Sequence, residues 1–218
     1  MADLKLVAFD YDGTISDSLA LIIDGFSSVF EKHGLPLPTE AQICGVIGLT
    51  LETCFEVLAP GQDINQLADD YRNHHNAMRN TDLQERLYDN ASQVLSELDR
   101  AGYLLSVCTG KNLRGLNNGL SLHGLSSRFL SLHTPDTAPS KPAPDMLYHA
   151  MDRAGVEANQ TVMIGDSVHD MRMAVAAGTK AIGVAWGYCS VADLRATGAD
   201  VIVESWLELP AAIKGLIG

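Results

Sequence analysis

Beyond Leu87 the chain repeats one unit: a stretch with helical periodicity, a short apolar run, then a loop. Residues 91–101 carry the helical spacing and stop at Gly102, after which "YLLSVCTG" reads as a buried strand opening into a loop. A helical stretch over 113–122 ends at Gly124, and the weak strand "RFLSLHT" and the Pro-rich loop "PDTAPSKPAP" follow. Residues 145–154 are expected to be helical, with Asp145 as N-cap after Pro144. The strand "TVMIGDS", a helix over 171–177 stopped by Gly178, the strands "AIGVAWGY" and "ADVIVES" and a terminal helix complete the series. Apolar runs that alternate with helices require a parallel sheet covered on both faces.

Between Ile15 and Gln84 this rhythm breaks, and helix follows helix over 18–33, 40–46, 51–58 and 64–80. No strand is expected there, although "VIG" at 46–48 has the texture of one. Crossovers between parallel strands are usually much shorter. The segment is therefore expected to be an inserted helical lid between the first strand and the rest of the sheet.

The 218 residues suffice for one large domain or one domain with a small appendage, and a 46% hydrophobic share can build a sizeable core. A net charge of −12 disfavours bulk affinity for nucleic acid or anionic lipid. An anionic substrate must then be held by a few local cations. Cys44, Cys54, Cys108 and Cys189 are scattered, without a paired spacing for zinc or a redox dithiol, and read as reduced thiols. The opening "MADLKLVAFD" has no signal-peptide apolar region, and no run approaches the roughly 18 apolar residues of a membrane span. A cytoplasmic location is expected, with no membrane or nucleic-acid partner.

The first apolar run ends in "AFDYDGT", two carboxylates one residue apart, which is costly unless a cation sits beside them. Ligands of open parallel sheets bind beyond the carboxyl ends of the strands. The polar residues that follow each run should meet there: Asp10 and Asp12, Thr109-Gly110-Lys111, Lys141, then Asp166 and Asp170. Several converging acids with oxygen donors alone suit Mg²⁺ rather than zinc. Thr109 and the Gly110 N–H can hold anionic oxygens, and Lys141 adds a point charge, so the set is shaped for a phosphoryl group.

These residues carry a resemblance. "DYDGT" resembles the first motif of the haloacid dehalogenase (HAD) superfamily, "SVCTG" the second, Lys141 in "SKPAPDML" the third and "GDSVHD" the fourth. The helical insertion is similar to the family's C1 cap. "TGKNLRGL", "SKPAPDML", "IGDSVHDMRMAVAAG" and "GVAWGY" look specifically like the phosphoglycolate-phosphatase-like branch. The resemblance implies an α/β fold, a Rossmann-like parallel-sheet core (1–14 and 85–218) with an all-helical cap (15–84) inserted after the first strand. It implies a Mg²⁺-dependent phosphatase acting on a small phosphomonoester, phosphoglycolate foremost, as monomer or homodimer.

In that scheme Asp10 is the nucleophile that forms an aspartyl phosphate. Asp12 protonates the leaving alcohol and then activates water, so it must begin protonated, as closeness to Asp10 favours. Mg²⁺ is held by the Asp10 carboxylate, the Asp12 backbone carbonyl and Asp166. Thr109, Gly110 and Lys141 bind the phosphoryl oxygens, and Asp170 orients Lys141 or a metal-bound water. Gly13 lets the chain turn after the nucleophile.

Other readings remain open at this point. Asp170 could simply cap the following helix, and Lys111 could touch substrate or stand solvated at a helix start. Arg72 and Arg79, sharing a helix face with His75 and Asn76, could clamp a substrate carboxylate or form a solvated polar face. The cap segment "IGLTLE", 47–52, lies near the substrate in the family, and His74, His123, His133 and His169 read as structural. Rival activities are a β-phosphoglucomutase-like enzyme and a haloacid dehalogenase, the latter disfavoured by Asp12. A phosphonatase-like reading needs a cap lysine, and Lys32 is the only one. A phospho-accepting signalling module is the non-enzymatic rival; such modules are shorter and lack a cap.

Overall fold

Strand β1 (Leu6–Phe9) is buried on both sides, with Val7 and Phe9 facing one apolar layer and Leu6 and Ala8 the other. Four more strands follow it in the same direction, β4 (Leu104–Cys108), β5 (Ser131–His133), β6 (Thr161–Gly165) and β7 (Lys180–Val184), with β8 (Val201–Val203) closing the edge. The six strands run in the order β5-β4-β1-β6-β7-β8, every pair parallel. Phe9 is registered with Val107 on one side and Ile164 on the other, so Asp10 leaves the sheet at the middle of its carboxyl edge. This computed structural model describes residues 4–78 and 85–218.

Helices α5 (Ala91–Arg100), α6 (Leu113–Leu122) and α10 (Leu209–Ile217) cover the Val7 and Phe9 face, through Leu95, Leu116 and Ile213 among others. The opposite face is closed by α7 (Asp145–Ala154), α8 (Val168–Ala177) and α9 (Val191–Ala196), with Leu147, Met171 and Leu194 pointing inward. Each fully buried side chain of this kind contributes roughly 1.5–3 kcal/mol. The fold is thus the two-sided α/β sheet that the alternation requires.

Before β4 come α1 (Leu19–Lys32), α2 (Glu40–Cys44), α3 (Leu51–Leu58) and α4 (Ile64–Ala77). They enclose an apolar cluster of their own around Phe26, Phe30, Phe55 and Leu67. Phe26 meets Phe55 edge-on with centroids 5.1 Å apart, a geometry that adds about 0.5–1.5 kcal/mol to area burial. Thr39, Thr50 and Asp63 cap α2, α3 and α4 with their side-chain oxygens. Among the described residues no helix is long and apolar enough to cross a membrane.

Several boundaries differ from the sequence expectation. A two-residue antiparallel ribbon, β2 (Ser16–Asp17) with β3 (Arg86–Leu87), joins the chain where it leaves the sheet and where it returns. Its strands are too short to carry a sequence period. Helix α8 begins at Val168 rather than Met171, because Ser167 and Asp170 form a capping box. Asp145 is the first helical residue of α7 and Pro144 holds the cap position. Helix α9 was not anticipated, and α2 ends at Cys44. The expected end of the last cap helix, 79–80, lies outside the described residues.

Candidate active site

Asp10 follows β1 directly and is 1% exposed. Its Oδ1 accepts a 2.6 Å hydrogen bond from the Tyr11 N–H and stands 2.7 Å from the Lys141 ammonium. That ammonium also lies 2.6 Å from Asp170 Oδ1, so one buried cation joins two buried acids. Asp170 makes contacts on both of its oxygens. Its Oδ2 accepts from the Ser167 N–H at 3.1 Å and the Ser167 hydroxyl at 2.7 Å, capping α8, while Oδ1 holds Lys141.

Asp166 leaves the end of β6. Thr14 Oγ1 donates to its Oδ1 at 3.0 Å and the Tyr188 N–H to its Oδ2 at 2.9 Å. Gly13 turns the chain at φ +82°, and a side chain there would collide with the Asp166 carboxylate. Thr109 follows β4, buried, with its N–H bonded to His133 O at 3.1 Å. Gly110 lies so close under the backbone oxygens of Gly48 and Leu49 that a side chain would strike both. The backbone at Gly48 and Leu49, between α2 and α3, therefore rests directly on the loop after β4.

Oxygens of Asp10, Asp166 and Asp170 all lie within 4.8 Å of one another. Burial pushes the Asp10 carboxyl up to about 7, with Lys141 opposing and Asp170 adding to the rise. Burial, then repulsion from Asp10 and Asp170, lifts Asp166 well above the usual carboxylate range. No cation is among the main influences on Asp166, whereas burial of Lys141 is outweighed by its two acid partners and its charge is held. A buried, oxygen-only cluster with one uncompensated acid fits Mg²⁺.

Asp12 points away from this cluster. Its Oδ1 accepts from Ser18 Oγ at 2.7 Å and lies 2.9 Å from the Lys111 ammonium. Burial pushes the Asp12 carboxyl up, but Lys111 and Ser18 outweigh it and hold the group below the usual range. The expectation that repulsion from Asp10 keeps Asp12 protonated is thus overturned for this geometry: Lys111 is the neighbour that decides. Lys111 is not solvated either. It is half-buried between Asp12 and Glu85 Oε1, 2.7 Å away from the latter, with its ammonium 5.4 Å from the centre of the Tyr11 ring.

Glu85 was missed by sequence reasoning, as were Ser18 and Tyr188. Glu85 also accepts from the Tyr11 hydroxyl at 3.1 Å and stands 3.8 Å from His75 Nε2. No local pattern marks it; its partners come from other segments. Tyr188, in the "WGY" loop, holds Asp166 through its N–H and accepts the Ser18 N–H on its hydroxyl at 3.1 Å.

A cavity of about 360 Å³ lies between helices α1, α3 and α4 and the carboxyl edge of the sheet, with Asp10, Asp12, Thr109, Gly110 and Lys111 on its floor. Ile22, Phe26, Leu49, Leu51 and Tyr71 give it an apolar wall, and Arg72, His75 and Asn76 also line it. Arg72 is already engaged by Glu52 and by Asp69 at 3.0 Å, which removes it as a free clamp. Arg79 lies outside the described residues. Away from the cavity, His74 bridges Ser28 and Asp24, and His133 bonds Ser131.

Residues 7–184 match the family of haloacid dehalogenase-like hydrolases. A probable phosphatase, IndB, of Dickeya dadantii is 33% identical over 97% of this chain and 94% of its own. A phosphoglycolate phosphatase of Vibrio parahaemolyticus is 27% identical over 95% of each chain. The solved haloacid dehalogenase-like hydrolase of Streptococcus pneumoniae superposes with a TM-score of 0.84 at 26% identity, covering 97% of this chain and 99% of that one.

Proposed function

The chain belongs to the haloacid dehalogenase-like hydrolase family and is a phosphatase; we propose that it hydrolyses a small phosphomonoester with Mg²⁺ through a phosphate ester of Asp10. The observation that carries this reading is Asp10 itself: buried at the sheet edge, paired to Lys141, and beside an Asp166 that has no ion-pair partner among the described residues. In this reading residues 1–14 and 85–218 form the catalytic core and 15–84 the cap, and the separate apolar cluster of α1–α4 supports that division.

Asp10 Oδ forms the bond to phosphorus as the bond to the alcohol oxygen breaks, and Asp12 gives that oxygen its proton. Water then attacks the aspartyl phosphate, Asp12 takes the water's proton, and the bond from phosphorus to Asp10 breaks to release phosphate. Lys141, Thr109 and the Gly110 N–H hold the phosphoryl oxygens, where charge spreads in the transition state. The Asp10 and Asp166 carboxylates and the Asp12 backbone carbonyl would hold Mg²⁺, which would supply the neutralisation that lets an ionised Asp10 face a phosphate dianion. Asp12 needs a proton to give, and an arriving dianion favours that by raising its pKa. The contact of the 47–50 segment with Gly110 supports a cap that closes over the site and excludes water. Phosphoglycolate is the leading substrate on the strength of the relatives bearing that name.

A panel of phosphometabolites assayed with Mg²⁺ and with EDTA tests the reading. Turnover should fall by about 100-fold or more in EDTA; undiminished turnover would remove Mg²⁺ from the account. If 2-phosphoglycolate is a poor substrate while a sugar phosphate turns over well, the phosphoglycolate assignment fails and the mechanism stands. Metal binding should also show in stability. Asp10 titrates near 7 folded against 3.8 unfolded, so the folded state binds the extra proton between those values. Its stabilisation is full below about pH 4 and lost as pH rises through 7. Mg²⁺ competes with that proton, so its addition should raise Tm more at pH 8 than at pH 5. An equal rise at both would contradict the placement of Asp10 in the metal site.

A further inference from the structure

The charges that line the cavity pair off almost completely. Arg72 is taken by Glu52 and Asp69, and Lys111 by Asp12 and Glu85. Of the lining acids, Asp10 has Lys141, and Asp136 accepts from the Leu113 N–H at 2.6 Å and from Thr134 Oγ1 at 3.2 Å. Among the described residues Asp136 and Arg114 have no ion-pair partner, and of the two only Arg114 also lacks a hydrogen bond. Arg114, in the first turn of α6 at the exposed rim, lines the cavity with no ion-pair or hydrogen-bond partner among the described residues. Asn118, one turn further along α6 and therefore on the same face, lines it too and is likewise without a side-chain partner.

We propose that Arg114, assisted by Asn118, binds a second anionic group on the leaving alcohol, and that the substrate is accordingly a phosphomonoester carrying a carboxylate or second phosphate distal to the ester. The inference rests on the phosphatase reading and concerns how the same site chooses its substrate. An unpaired guanidinium presents a fork of donors matched to a carboxylate or phosphate. In a chain of net charge −12 such a local cation is what an anion needs. Arg114 stands on the core helix that follows the Thr109 loop, so it keeps its position relative to the phosphoryl site whether or not the cap moves. A cap arginine spent on two acids does not offer that.

The test compares two matched pairs: 3-phosphoglycerate against glycerol 3-phosphate, and 6-phosphogluconate against glucitol 6-phosphate. Each pair differs only by a carboxylate in place of a hydroxymethyl group, at two lengths. The wild type should prefer the carboxylate at one length or both, through a lower KM. Arg114→Gln should cut that preference by about tenfold to a hundredfold, as expected for a lost charged hydrogen bond, and Arg114→Lys should restore part of it. Arg72→Gln should leave the preference in place. Turnover without preference at either length, a preference untouched by Arg114→Gln, or one abolished by Arg72→Gln would each overturn the inference while the phosphatase reading stands. Failure of every phosphomonoester tried, p-nitrophenyl phosphate included, would overturn that reading and this inference with it.

Discussion

Asp10→Asn lowers turnover by about 10⁴-fold or more, the scale on which covalent catalysis depends on its nucleophile, and does so without loss of fold. Asparagine has the shape of aspartate, and the Tyr11 N–H that bonds Asp10 Oδ1 finds an amide oxygen in the same place. The charge removed is one that burial penalises and that Asp170 and Asp166 repel. Lys141 keeps Asp170 as a partner. Tm at pH 8 without Mg²⁺ therefore should not fall. Inactivity with an unchanged or raised Tm, read by calorimetry beside a steady-state assay, distinguishes a lost nucleophile from a collapsed site. An Asn protein that retains a tenth of its activity would contradict the account.

Lys141→Met is expected to be just as inactive but to behave oppositely in stability. The ammonium is 0% exposed and lies 2.7 Å from Asp10 and 2.6 Å from Asp170. Removing it leaves Asp10, Asp166 and Asp170 facing one another with no buried cation between them. Breaking a buried ion pair from one side costs about 3–5 kcal/mol, which for a chain of this size lowers Tm by roughly 6–20 °C. Adding Asp10→Asn to Lys141→Met should return part of that loss, since one of the stranded carboxylates is then neutral. The two substitutions are in direct contact, so their effects on Tm should be clearly non-additive. Additive effects would mean that Lys141 is not the charge that balances Asp10.

Much of this site was legible in the sequence because sheet topology converts order along the chain into proximity. Asp10, Thr109 and Asp166 each follow the last residues of a parallel strand, and parallel strands place those ends along one edge. Lys141 needed more, since it lies eight positions beyond β5 and its side chain reaches Asp10 across the Pro-rich loop. The electrostatics around Asp12 were not legible. They depend on Lys111 and Glu85, 26 residues apart in the chain, and on Ser18, which come from separate segments and meet only in the folded chain. The β2–β3 ribbon escaped for a related reason: two paired residues have no periodicity to read. Helix α8 was read three residues short because its first turn holds Ser167 and Asp170, polar groups that cap the helix and reach the site.

The chemistry at Asp10 can be caught in the act. A single turnover with ³²P-labelled substrate, quenched in acid and digested, should place the label on the peptide that contains Asp10, as an acyl phosphate cleaved by hydroxylamine. Hydrolysis of the substrate with no labelled protein, or with the label on a peptide lacking Asp10, would contradict the account.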